Sequence, residues 1–300
     1  MATDAPHPAF EGYASEPVPQ AAVGAPGKVG QLELAFRVAA DGESYLARDL
    51  ARVPFHVSGT LDHDPHPDAT TVFVQSPTGG IAQGDRHTVE ITVGTDAVAS
   101  VTTQSATKVL SMKCNYAAAD VSLSVAAGGH LDYVPEPTIL NPDARYCQDV
   151  TLDLDAGASA IVGDVVVPGR LARGERFDFE RFVSRFEVRG EDGLLAADAT
   201  HLDPADGDPT APGVLGECAV YGTLYVLAPD EDCESLADEI HGRVAGGPAT
   251  AGATTLPNDA GVVVRALGHE SEPVTETLHA ARDESRQAVL GVPAPEVRKN

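Results

Sequence analysis

The stretch "TVEITVGTDAVASV", Thr88–Val101, sets Val89, Ile91 and Val93 against polar neighbours, breaks at Gly94–Asp96, and then resumes an apolar run. Apolar residues at every second position mark a strand with one buried face. The same figure returns in "DVSLSVAAGGHLDYV", with Val121, Leu123 and Val125, and in "DVTLDLDAGASAIV", with Val150, Leu152 and Leu154. The repeat is about 30 residues, which suggests supersecondary units stacked in series. Each unit is expected to be a hairpin, and the pile to be mainly β, in an elongated β-helix-like or β-sandwich-like arrangement.

The flanks extend this pattern. "QLELAFRV", Gln31–Val38, alternates Leu32, Leu34, Phe36 and Val38. "FDFERFVSRFEVRGEDGLLAAD", Phe177–Asp198, is a hairpin with "RGEDG" as its turn. Helical spacing occurs only late in the chain. Cys233, Leu236, Ile240 and Val244 form one stripe, closed by Gly246 and Gly247. Val274, Leu278, Ala281, Val289 and Leu290 form another, stopped by Gly291, and "GVVVRALG" between them reads as a strand. About two α-helices near the C-terminus are therefore expected. Residues 1–28 hold five prolines and little periodicity, which reads as a flexible Pro-rich arm before a single β-rich domain over 29–300.

Charge excludes several functions. Lys and Arg total 20 against 45 Asp and Glu, a formal net of -25. Such a surface repels nucleic acid and anionic membranes. It suits a cytoplasmic protein of a salt-loving organism, where salt screens the repulsion; lower ionic strength should then reduce stability. The N-terminus has no basic start or apolar run, so no signal peptide is expected. No run of ~18 apolar residues spans a membrane. Cys114, Cys147, Cys218 and Cys233 form no CxxC pair.

"SPTGGIAQGD", Ser76–Asp85, carries Gly79, Gly80 and Gly84. The spacing is not GxGxxG, a β-pattern follows instead of a helix, and Asp85 stands where a P-loop needs lysine. The glycines read as a turn with φ > 0, which leaves Asp85 unexplained. Two further carboxylates, Asp164 in "AIVGDVVV" and Asp198 in "GLLAADA", sit inside apolar runs. A buried charge must be paired, hydrated or face a wet channel; an outward position is the other reading. His201 falls on the opposite strand face from Asp198. No GxSxG, HExxH or Cys/His signature supports catalysis. The polar loop "SGTLDHDPHPDATT", with His63 and His66, is either solvated or a metal buffer.

In order along the chain, "SPTGGIAQGDR", "VTTQSATKVL" (Val101–Leu110), "LDYVPEPTIL" (Leu131–Leu140), "GDVVVPGRLARGERF" (Gly163–Phe177), "VVVRALG" and "RQAVLG" resemble the motifs of the UreD/UreH family of urease accessory proteins. The arm before Gly30 has no counterpart there. "YVPEP" replaces a Trp-containing sequence, and Asp203–Gly216 reads as a lengthened acidic loop. The resemblance implies a β-rich, helix-poor fold and a non-enzymatic role. It implies binding to the urease structural subunits, with a helical scaffold accessory protein and a GTPase as further partners, and it admits a homodimer within that complex. It further implies no tightly bound cofactor, with nickel passing in transit through an internal polar channel.

On that resemblance, the transit residues are Asp85, Ser105 or Thr107, Asp164 and Asp198. Gly79, Gly80, Gly84, Lys108 and Arg170 are motif residues, and Lys108 or Arg170 could pair with a buried aspartate. Carboxylates and hydroxyls suit brief residence, since imidazole and thiolate hold borderline metals more tightly. Cys114 and His130 read as packing residues before metal ligands. The remaining alternatives are an independent metal-buffering protein and a structural interaction protein without metal.

Overall fold

The computed structural model describes residues 5–18, 27–62 and 64–295. In chain order the strands are β1 (Val29–Val38), β2 (Ser44–Arg52), β3 (His56–Leu61), β4 (Ala69–Gln75), β5 (Arg86–Val93), β6 (Val98–Thr103), β7 (Thr107–Val109), β8 (Ala117–Val125) and β9 (His130–Tyr133). They continue as β10 (Thr138–Leu140), β11 (Arg145–Leu154), β12 (Ser159–Val167), β13 (Arg181–Gly190), β14 (Gly193–Leu202), β15 (Val220–Leu227), β16 (Thr250–Thr255) and β17 (Gly261–Gly268). Helix α1 is the single turn Glu11–Ala14; α2 (Cys233–Val244) and α3 (Ser271–Leu290) are the two expected late helices.

The repeat units do stack, but they are not hairpins. Strands β5, β8, β11 and β13 pair in parallel within a seven-stranded sheet ordered β14-β13-β11-β8-β5-β1-β2. The second strand of each unit crosses to a ten-stranded sheet, where β6, β9 and β12 also pair in parallel. Each unit is thus an arch whose two arms face each other across the core. Alternation alone cannot separate these cases, because hairpin and arch strands both bury every second residue. The turns decide it. Asp96, Gly128 and Gly157 hold φ of 58°, 71° and 75° at the same place in three successive turns. The φ of 71° at Gly128 favours glycine, and a Cβ there would also push against the Asp96 carboxylate of the neighbouring turn. The hairpin read at Phe177–Asp198 is real: β13 and β14 pair antiparallel across Gly190 and Gly193.

Three apolar clusters follow from this arrangement. Val89, Ile91, Val121, Leu123, Val150 and Leu152 of the seven-stranded sheet meet Val101, Leu131, Ala160 and Val162 of the other. A second inter-sheet cluster, around Tyr146, Phe182, Val166 and Leu202, lies further along the strands. The outer face of the ten-stranded sheet, with Ile161, Val165, Leu224 and Val264, is covered by α2 and α3. All four stripe residues read for α2 are buried. In α3 the stripe turns polar after Ala281: Arg282, Ser285 and Arg286 are buried, and Val289 and Leu290 beyond them are half-buried, Val289 against the cluster under the helices.

The flexible arm expected over residues 1–28 lies partly outside the described residues, but residues 5–18 are docked on the outer face of the seven-stranded sheet. Phe10 is fully buried against Tyr116, Cys147 and Val183. Arg145 pairs with Glu16 at 2.9 Å and Glu180 at 2.6 Å, and Tyr13 donates to Glu180 at 2.7 Å. Pro8, one of the prolines that suggested flexibility, opens a short 3-10 turn, where no ladder bond is needed; Pro19 and Pro26 lie outside the described residues. Phe10→Ala should release this segment, because truncating a buried phenylalanine costs about 3–5 kcal/mol. Limited proteolysis would then cut within residues 5–18 at least tenfold faster, at nearly unchanged melting temperature. A cutting rate equal to that of the wild type would show that the segment's polar contacts hold it without Phe10.

Candidate functional site

Between the two inter-sheet clusters the core is polar. Along the inward face of several strands one position breaks the apolar series. On β11 it is Gln148, between Tyr146 and Val150; on β13 it is Ser184, between Phe182 and Phe186. On β12 it is Asp164, between Val162 and Val166, and on β15 it is Thr223, between Tyr221 and Tyr225. Register aligns these positions. His87, Ala119, Gln148, Ser184 and Thr200 pair in one row across the seven-stranded sheet. Asp164, Thr223 and Arg265 pair in one row across the other.

The two rows enclose a cavity of about 200 Å³, room for several waters. From β5 to β14 it crosses four strand spacings, roughly 19 Å at ~4.8 Å each. Ser105 and Thr107 line it near the glycine loop, Asp164 lies within it, and Asp198 lines it at the β14 side. Three of the predicted regions therefore converge on one cavity. Gly79, Gly80 and Lys108 also line it. Gly80 has φ +143°, and a Cβ there would lie 2.4 Å from the Lys108 carbonyl oxygen. The glycine lets the loop run against β7, where Ile81 N–H donates to that carbonyl at 2.8 Å.

Asp85 belongs elsewhere. It is fully buried but does not line the cavity. Its Oδ1 accepts from the Gly27 and Lys28 N–H groups at 2.9 and 2.8 Å, and its Oδ2 from the Ala82 N–H at 2.9 Å. Three backbone donors engage both oxygens, so Asp85 pins the glycine loop to the start of β1. Arg170 is also displaced from its expected role: it pairs with Glu175 at 2.5 Å on an exposed turn, not with a buried aspartate. His201 lies outside the cavity, beside His7, and Cys114 accepts from Gln83.

The polar loop behind β3 is not wholly solvated. His63 lies outside the described residues, but the side chain of the half-buried Asp64 is buried and pairs with Arg286 at 2.5 Å. That pair extends a buried network which the sequence reading missed. Asp132, fully buried, is bound by Arg282 at 2.9 Å, by Arg286, and by His130 at 3.2 Å. Burial opposes ionisation of Asp132, yet Arg282, His130 and Arg286 outweigh it and hold the carboxyl far below the usual range. This network fastens α3 to the ten-stranded sheet.

The cavity has its own electrostatics. Protein surrounds Asp164 on every side, and it keeps accessible surface only because it faces the cavity. Burial pushes its pKa up to about 6, partly offset by the Ser184 hydroxyl at 3.5 Å. Burial pushes His87 down to about 4, so it is a neutral ring at pH 7, and its Nε2 has no hydrogen-bond partner among the described residues. Burial likewise raises Tyr133, Tyr146 and Tyr221, whose hydroxyls stay protonated. An orphaned imidazole nitrogen and one unpaired carboxylate are what a hydrated cation path offers. Among the described residues no three His, Cys, Asp or Glu side chains gather as a metal cage.

The raised Asp164 pKa has a pH signature. Between about 4, the unfolded value, and about 6, the folded protein keeps a proton that the unfolded chain has lost. Stability contributed by Asp164 therefore falls as pH rises through that window and is level above it. The difference in unfolding free energy between wild type and Asp164→Asn should trace this limb in denaturant titrations. A difference independent of pH would place Asp164 in contact with bulk water.

Residues 28–300 match the family model described as UreD urease accessory protein. The chain is 66% identical to a urease accessory protein UreD of Haloarcula marismortui, with 100% of each chain covered. It is 49% identical to that of Natronomonas pharaonis, covering 97% of this chain and 98% of the relative. It is 33% identical to urease accessory protein UreD 2 of Streptomyces griseus subsp. griseus, covering 93% and 96%.

Proposed function

Because the chain belongs to the UreD family of urease accessory proteins, with a role in urease maturation, we propose that the polar band between its sheets conducts nickel toward apo-urease. The observation that supports this is the band itself, with Asp164 deep inside it and accessible residues at either end. A divalent ion crossing a protein loses water. The Ser184, Thr223, Thr200 and tyrosine hydroxyls and the Gln148 amide replace some of it, and Asp164 supplies the offsetting charge. Oxygen donors without thiolate hold such an ion weakly enough to release it. His87 adds a single neutral nitrogen near the glycine loop.

In this reading the chain carries no catalytic step. It binds the urease structural subunits and works with a helical scaffold accessory protein and a GTPase that loads the metal. The test has two parts. The tagged chain, co-expressed with the urease subunits in high salt, should co-elute with them. Urease activated in its presence should then depend on Asp164. Co-elution together with activation that survives Asp164→Leu would leave a docking protein whose cavity carries no nickel.

A further inference from the structure

The polar band ends in an ion pair. Asp198 faces the cavity from β14, the edge strand of the seven-stranded sheet. Its Oδ2 accepts from the Tyr225 hydroxyl at 2.6 Å and pairs with the Arg265 guanidinium at 2.5 Å. Arg265 is also the last side chain of the other polar row, after Asp164 and Thr223, since Gly252 follows it on β16. Asp198 pairs with Phe186, one inward position along β14 from Thr200, so Arg265 closes this end of the band across a carboxylate beside the first row. Arg265 is 56% exposed and Asp198 22%, so the guanidinium reaches in from solvent across the carboxylate. At the opposite end Gly79, Ser105 and Lys108 are exposed.

We propose that Arg265 is a selectivity plug: it keeps Asp198 closed to monovalent cations and yields to a divalent one. This rests on the band being a cation route. The reason is Coulombic. A monovalent ion brings no more charge to Asp198 than the guanidinium already there, and must shed water to displace it. A divalent ion doubles the attraction at the same distance. Arg265 is tethered and exposed, so once displaced it swings into water at little cost. Tyr225 keeps its hydrogen bond to Asp198 and holds the carboxylate in place.

The test uses the full chain with Ser184→Cys as a reporter inside the band. It is treated with the monovalent cationic reagent 2-aminoethyl methanethiosulfonate or its anionic sulfonatoethyl counterpart. Labelling is read site by site by mass spectrometry, which separates it from the four native cysteines. Arg265→Gln should raise the rate of cationic labelling at least tenfold and leave anionic labelling slow. Arg265→Lys should stay near the starting rate, and Tyr225→Phe should give a smaller rise. An unchanged rate in Arg265→Gln, with melting confirming a folded protein, overturns the plug; so does an equal rise for both reagents. The labelling does not involve urease. If Arg265→Gln opens the band while Asp164→Leu still supports activation, the plug stands and the nickel route falls. If Asp164→Leu abolishes activation while labelling ignores Arg265, the route stands and the plug falls.

Discussion

Asp164→Leu is expected to leave the protein folded, raise its stability, and reduce urease activation to under a tenth of the wild-type level. The two effects have one cause. Ionised Asp164 sits where burial has pushed its pKa to about 6, and no cation pairs with it among the described residues. A two-unit rise corresponds to roughly 3 kcal/mol of destabilisation of the charged form at neutral pH. Water in the cavity lowers the recoverable part to about 1–2 kcal/mol. Leucine removes that cost and packs against Val162 and Val166, its inward-facing neighbours on β12. For nickel the same change removes the charge that offsets desolvation. At an effective dielectric of ~20, one carboxylate about 4 Å away contributes on the order of 4 kcal/mol to a unit charge and more to a divalent ion. Losing a fraction of that slows passage tenfold or more. Asp164→Asn should fall between the two proteins in both measurements. Thermal melts and urease activity after co-expression would read the pair, and a variant that loses stability together with activation would point to misfolding instead of a blocked route.

The sequence announces most of the fold and only part of the site, and the reasons are local. Three-beat alternation at Val89, Val121 and Val150 locates the stacked strands correctly, since a buried β-face needs an apolar residue every second position. Whether the two arms of a unit pair with each other or face each other depends on turn conformation, which Asp96, Gly128 and Gly157 carry too faintly to be read in advance. Asp164 and Asp198 stand out because a carboxylate in an apolar run is costly. Gln148, Ser184, Thr200 and Thr223 do not, because a neutral polar residue in a strand normally marks the solvent face. What betrays them is parity. Tyr146–Gln148–Val150, Phe182–Ser184–Phe186 and Tyr221–Thr223–Tyr225 each place the polar residue on the apolar beat, and the same interruption in several strands of a stack is a wet stripe. Asp85 misled for the opposite reason: a buried carboxylate can also be satisfied by backbone N–H groups, and nothing in "QGDR" distinguishes that from a channel.

The arginines of α3 show a second limit of pattern reading, and they carry the largest stability effect expected in the chain. A helix stripe shows in apolar residues, so Arg282 and Arg286 do not mark it, although Arg286 is among the largest fully buried side chains of the fold. Removing one member of such a network leaves the others charged in a dry interior, at about 3–5 kcal/mol. The penalties should rank by how many partners are orphaned. Asp132→Leu takes from Arg282 its carboxylate, from Arg286 one of its two and from His130 its carboxylate partner, and costs most. Arg286→Met removes the cation paired with Asp64, whose Oδ1 keeps the His66 N–H at 2.9 Å, but leaves Asp132 with Arg282 and His130, and costs less. Arg282→Met leaves Asp132 its Arg286 and His130 contacts, and costs least. Melting should fall by on the order of 10 °C for the first of these. Amide exchange should show α3 opening before the two-sheet core, since the network is what fastens it beyond its apolar stripe. The pH sign is opposite to that of Asp164. A carboxyl held below its unfolded value contributes stability above about pH 4 and loses it as pH falls, so wild type should lose stability on acidification faster than Asp132→Leu. Equal melting temperatures for the three variants would mean that α3 is held by Val274, Leu278 and Ala281 alone, with the buried charges merely accommodated.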